Sequence, residues 1–146
     1  MEKYREQELK YLLDLEALSK GKTLLEMKNT TANPSAAGLV GFGLAHLAFN
    51  ISNTEAYVLD AMVCSVIFFL GGILEIIVGV MEQKRGNIFI SVFFLGYGFL
   101  WLSTCFTIFM PYTGLMWPVT PMSWGYFYLG WTLFSFCLMI ASFKMA

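Results

Sequence analysis

The sequence predicts an all-α, polytopic membrane protein with four transmembrane helices, preceded by an amphipathic N-terminal helix. Three observations carry that prediction. Of 146 residues, 58% are hydrophobic and 13% charged, with a mean hydropathy of +0.65; a soluble domain carries about 25% charged residues. The charge is also segregated: residues 1–28 hold six of the nine Lys/Arg and six of the ten Asp/Glu, and 58 consecutive residues, 86–143, have none. Finally, a spanning helix needs roughly 20 apolar residues, and the charge-poor stretches have room for four. Such a composition excludes disorder, and a net charge of −1 gives no footprint for nucleic acid.

Residues 2–20 read as a surface helix. Leu9, Leu12 and Leu13 line one side, with Tyr11, Leu15 and Leu18 near them at helical spacing, and acids and bases alternate around them. Gly21 ends it and 22–31 form a polar connector, so residues 1–32 are expected to be a cytoplasmic segment and 33–146 the transmembrane domain. The spans are expected at 35–51, 57–81, 88–110 and 117–143. Gly38, Gly41 and Gly43 in the first span suit close helix packing. Trp117, Trp124, Tyr126 and Tyr128 fit an interfacial aromatic belt. Lys84 and Arg85 lie between the second and third spans, Lys144 follows the fourth, and the other two loops have no Lys or Arg. The positive-inside rule then puts both termini in the cytoplasm of a plasma (inner) membrane protein.

Several residues are candidates for chemistry. Asn33-Pro34 opens the first span as N-cap and first helical residue; its free N–H groups suit either a well-made helix start or an anion at the inner mouth. Phe42, His46 and Asn50 recur every four residues. They are either packing residues or a polar, protonatable stripe along a pore. Glu75, flanked at the same spacing by Gly71 and Gly79, is costly in mid-span unless paired or protonated. It is therefore a packing group or a proton-sensing one. Phe93, Tyr97 and Trp101 form a second stripe. Cys64, Cys105 and Cys137 have no metal-ligand spacing, there is one histidine, and no phosphate-cradling or zinc-hydrolase motif occurs. No metal, cofactor or enzymatic activity is expected.

Three segments together resemble the acetate uptake transporter family. They are Asn33-Pro34-Ser35-Ala36-Ala37-Gly38-Leu39 (N-P-x-x-x-G-L) with Gly41-Phe42-Gly43 after it, the loop Glu82-Gln83-Lys84-Arg85-Gly86-Asn87-Ile88-Phe89 (E-x-[KR]-[KR]-G-N-x-F), and Tyr97-Gly98 with Trp101. The resemblance implies proton-linked transport of small monocarboxylates, chiefly acetate with succinate as a further candidate. It implies homo-oligomers, hexamers in that family, with one pathway per protomer narrowed by the aromatics Phe42 and Tyr97. Asn50 and Trp101 would join that pathway, Asn33, Pro34 and Gly38 the vestibule, and Glu75 or His46 the proton response; Glu82, Gly86 and Asn87 carry the loop motif. Relatives have six spanning helices and commonly glutamine at the Glu75 position. Four spans in 146 residues give the expectation of a truncated member. The alternatives are a non-transporting subunit or regulator of a longer relative, and a channel for ammonium or another small solute.

Overall fold

The computed structural model describes residues 2–19, 32–54 and 56–144. The chain divides into two units, Met1–Ala32 and Asn33–Ala146. The first holds helix α1 (Glu2–Ser19); the expected helix end at Gly21, Leu18's side chain and the connector 22–31 lie outside what is described. The second holds four helices long and apolar enough to cross a membrane: α2 (Ser35–Asn53), α3 (Ala61–Lys84), α4 (Ile88–Thr113, its last turn a 3-10 turn) and α5 (Pro121–Ser142).

Local chemistry sets each boundary. Asn33 Oδ1 accepts the Ser35 N–H at 3.0 Å, and the Pro34 carbonyl takes the N–H groups of Ala37 and Gly38. The Asn-Pro pair thus starts α2 as an N-cap followed by a pre-set first residue. The second span starts at Ala61 rather than 57, because Asp60 caps it by accepting from Met62 N at 2.9 Å and Val63 N at 3.0 Å. Tyr57 donates its hydroxyl to the same carboxylate at 3.0 Å. Those hydrogen bonds, to Val63 N–H first and then to Tyr57, hold Asp60 below the usual carboxylate range, and Asp60 in turn pushes the Tyr57 phenol up. The fourth span, α5, starts at Pro121 rather than 117, with Thr120 accepting from Ser123 N; Trp117 lies outside it and is exposed.

One feature of α3 is invisible in the sequence pattern: Ile67–Leu74 forms a π-helical segment. The wider turn moves the following residues about the axis relative to a plain 3.6-residue spacing. It brings Gly71 against Trp101 of α4 and Ala45 of α2.

α3 lies between α2 and α4, and the core is built from Ala45, Phe49, Val78, Phe94, Leu100 and Trp101. Lipid is as apolar as these side chains, so tight packing rather than water exclusion holds such helices together. Gly41 and Gly98 show how tight it is. A methyl group on Gly41 would sit 2.7 Å from the Leu70 carbonyl oxygen, and one on Gly98 3.1 Å from that of Gly72. α5 buries none of its residues and meets α4 through Phe134, which lies over Gly96.

At the α3–α4 turn, Glu82 ties three helices together. Its carboxylate accepts from Ser35 Oγ of α2 at 2.9 Å and from Asn87 Nδ2, and Arg85 Nε lies 3.6 Å away. Gly86 turns the chain at φ +83°, a conformation that costs an L side chain about 1–2 kcal/mol.

Candidate functional site

α2, α4 and α5 line a half-open cavity of about 430 Å³, within the range of small-ligand sites. Both stripes seen in the sequence reach it. α2 supplies Phe42, His46, Phe49, Asn50 and Asn53; α4 supplies Tyr97, Leu100, Trp101 and Thr104; α5 supplies Tyr128, Trp131, Thr132 and Ser135. One end is a knot of rings. Phe42 lies 4.1 Å from His46 and 5.0 Å, edge-on, from Tyr97, while His46 stands edge-on to Trp101 at 4.7 Å. Phe93 supports the knot from behind, 4.8 Å from Tyr97.

Polar groups interrupt the rings at fixed places. His46 Nδ1 bonds the Phe42 carbonyl at 2.9 Å. A carbonyl only accepts, so Nδ1 carries the hydrogen and, in the neutral ring, Nε2 carries the lone pair. Asn50 donates to the His46 carbonyl at 2.8 Å, and Tyr97 Oη pairs with Ser135 Oγ at 2.7 Å. Trp101 is buried with no partner for its Nε1–H among the described residues. Among the described residues no Asp, Glu, Lys or Arg lines the cavity. It can hold a small, partly apolar solute by ring contact and a few hydrogen bonds, with no fixed charge to bind an ion.

Other candidates lie elsewhere. Glu75 is fully buried with neither oxygen hydrogen-bonded among the described residues, and it does not line the cavity. Gly38 packs under Phe94 and Val78, Pro34 is buried, and Asn33 is an exposed cap. Glu82 and Asn87 bond each other, with Gly86 between them in the turn. The loop motif therefore meets Ser35 of the first motif and serves the fold directly. Sequence reasoning missed the α5 contribution. Residues 128, 131, 132 and 135 share one helix face by spacing, a signal masked by the uniformly apolar, aromatic composition around it. Tyr128, expected only as a belt residue, lines the cavity and stacks on Trp124 at 5.4 Å. Among the described residues no cluster of His, Cys, Asp or Glu has the geometry to hold a metal ion.

Four helices of span length with an apolar exterior define a polytopic helical membrane protein. The chain belongs to the GPR1/FUN34/yaaH family, whose model matches residues 17–146. It is 35% identical over 122 residues to the succinate-acetate/proton symporter SatP of Escherichia coli (strain K12), covering 82% of this chain and 64% of that protein. It is 29% identical over 121 residues to the ammonia transport outward protein 2 of Saccharomyces cerevisiae, covering 77% of this chain and 43% of that one. The solved structure of the bacterial acetate channel SatP superposes with a TM-score of 0.76 at 31% identity, over 79% of this chain and 64% of that chain. The chain thus spans less than two thirds of the length of these relatives. Their stated activities are transport rather than catalysis, which places this chain in a family of transport proteins and not of enzymes.

Proposed function

We propose that the α2–α4–α5 cavity is part of the path by which a small monocarboxylate, acetate above all and succinate as a further candidate, crosses the membrane together with a proton. The observation that carries this reading is the lining itself: a ring knot of Phe42, His46 and Tyr97, then hydroxyl and amide groups, and no fixed charge. A methyl group suits the rings, and the polar groups suit a carboxyl. A bare carboxylate would lose its hydration there without a cation to replace it, a cost of several kcal/mol, so entry with a proton is favoured. His46 lines the cavity and is the first candidate for relaying that proton; Glu75, buried on α3, is the second. Asn33 and the start of α2 form the vestibule in this reading. Both termini face the cytoplasm of the plasma membrane, as the Lys84-Arg85 loop directs, with residues 1–32 on that surface. The pathway belongs to each protomer of a homo-oligomer.

The test is uptake of labelled acetate by proteoliposomes, corrected for protein-free vesicles. Uptake through the chain, altered in Phe42→Ala and Tyr97→Ala, is expected; a rate untouched by both substitutions removes the ring knot from the path. His46→Gln and Glu75→Gln should separate in their pH profiles, the one that flattens being the relay. The ammonia-transport name of the yeast relative makes ammonium the second cargo to test. Its inhibition of acetate entry, or lack of it, in the same flux assay decides between the two.

A further inference from the structure

Trp101 is a large cavity-lining side chain that no hydrogen bond fixes. It is buried and its Nε1–H has no partner among the described residues, so contact alone sets the angle of the indole. From α2, His46 and Phe49 stand edge-on to it at 4.7 Å and 5.6 Å. Gly71 meets it from α3, a helix that supplies none of the cavity lining. A methyl group on Gly71 would lie 2.6 Å from both Cγ and Cδ1 of Trp101 and 2.8 Å from Ala45 Cβ. Nothing larger than hydrogen fits there while the ring keeps its place.

We infer that Gly71 is a positioning residue: by having no side chain it sets how far Trp101 reaches into the cavity, and so the length of monocarboxylate that the cavity accepts. A push from position 71 has two neighbours to move. Ala45 Cβ is fixed to the backbone of α2 and cannot yield alone, whereas the indole can tilt, and the open space beside it is the cavity. Close-packed interiors pass such a displacement on rather than absorb it. The π turn of α3 thereby acts on a cavity it does not line, with Trp101 as the movable wall. The inference rests on the cavity being the monocarboxylate path, and it adds the residue behind the wall that fixes the cavity's width.

The experiment compares entry of labelled acetate and labelled propionate, which is one methylene longer, into proteoliposomes of purified chain, with protein-free vesicles subtracted. Gly71→Ala should lower the propionate-to-acetate ratio about tenfold, the low end of what one methylene decides in an apolar pocket. Trp101→Phe should raise the ratio. The double variant should return most of the way to wild type, because the smaller ring clears the added methyl group and the two changes are coupled. Gly72→Ala is the packing control. Its methyl group would meet the flexible end of Leu102, which does not line the cavity, so its ratio should match wild type. Should Gly71→Ala fail to fold, Trp101→Phe alone decides. An unchanged ratio in Gly71→Ala or in Trp101→Phe, an equal fall in Gly72→Ala, or no recovery in the double variant overturns the inference while acetate entry leaves the transport reading standing. Absence of protein-dependent acetate entry in wild type overturns both.

Discussion

Gly41 and Gly43 flank Phe42 on α2, and alanine at each should have opposite effects. A methyl group at Gly41 would lie 2.7 Å from the Leu70 carbonyl oxygen in the π segment of α3, whereas one at Gly43 meets nothing within 4 Å. Both changes gain helix propensity, about 0.5–1 kcal/mol. At Gly41 the neighbour is backbone, so α2 and α3 must separate or the π turn must rearrange, at a cost of about 1–3 kcal/mol. The net expectation is a loss of about 1–2 kcal/mol for Gly41→Ala and a gain of up to about 1 kcal/mol for Gly43→Ala. The gap between them, about 1–3 kcal/mol, is within reach of equilibrium unfolding in mixed micelles. Equal stabilities for the two variants would refute the close approach of α2 to the π segment, and with it the placement of Phe42 against Tyr97.

Three further outcomes are expected. Glu82→Ala leaves Ser35, Asn87 and Arg85 facing a void; it should lose about 2 kcal/mol of stability in the same unfolding assay, towards the low end because water is close at this end of the bundle, with Glu82→Gln intermediate. Gly86→Ala has open space around it but φ +83°, so it should lose about 1 kcal/mol with acetate uptake per folded molecule unchanged. Asp60 is held below its ordinary value by Val63 N–H and Tyr57; its charge contributes stability above the unfolded-state pKa, near 3.9, and that contribution is lost as pH falls through the lower folded value. Melting curves of wild type and Asp60→Asn, which keeps a capping oxygen, should therefore converge on acidification and differ at neutral pH.

The four spans were legible because apolar length and charge placement are properties of composition, which tertiary contacts do not alter. Boundaries followed where a local signal exists, as at Asn33-Pro34, and slipped where the decisive residue reads as polar linker, as at Asp60. The π segment had no signal, since a widened turn in Ile67–Leu74 depends on what Gly71 and Gly72 pack against rather than on their identity. The Phe42/His46/Asn50 and Phe93/Tyr97/Trp101 stripes were readable as stripes, and the structure turns both towards one cavity, Phe93 as backing. That Glu82 bonds Ser35, 47 residues away, and that the Tyr97 and Ser135 hydroxyls pair across 38 residues, are facts of helix adjacency that spacing along one helix does not contain.

The central claim, that acetate passes through the α2–α4–α5 cavity, is tested most directly by blocking it. Cys64 and Cys105 are buried and Cys137 is exposed, so a Cys137→Ser background leaves no exposed thiol among the cysteines. On it, Thr132→Cys places a thiol in the cavity lining and Leu133→Cys places one on the exposed face of the same helix, outside that lining. A charged methanethiosulfonate reagent should stop acetate uptake by the Thr132→Cys variant alone, and acetate should slow that labelling. Equal inhibition of both variants, or labelling at position 132 that leaves uptake intact, would contradict the account.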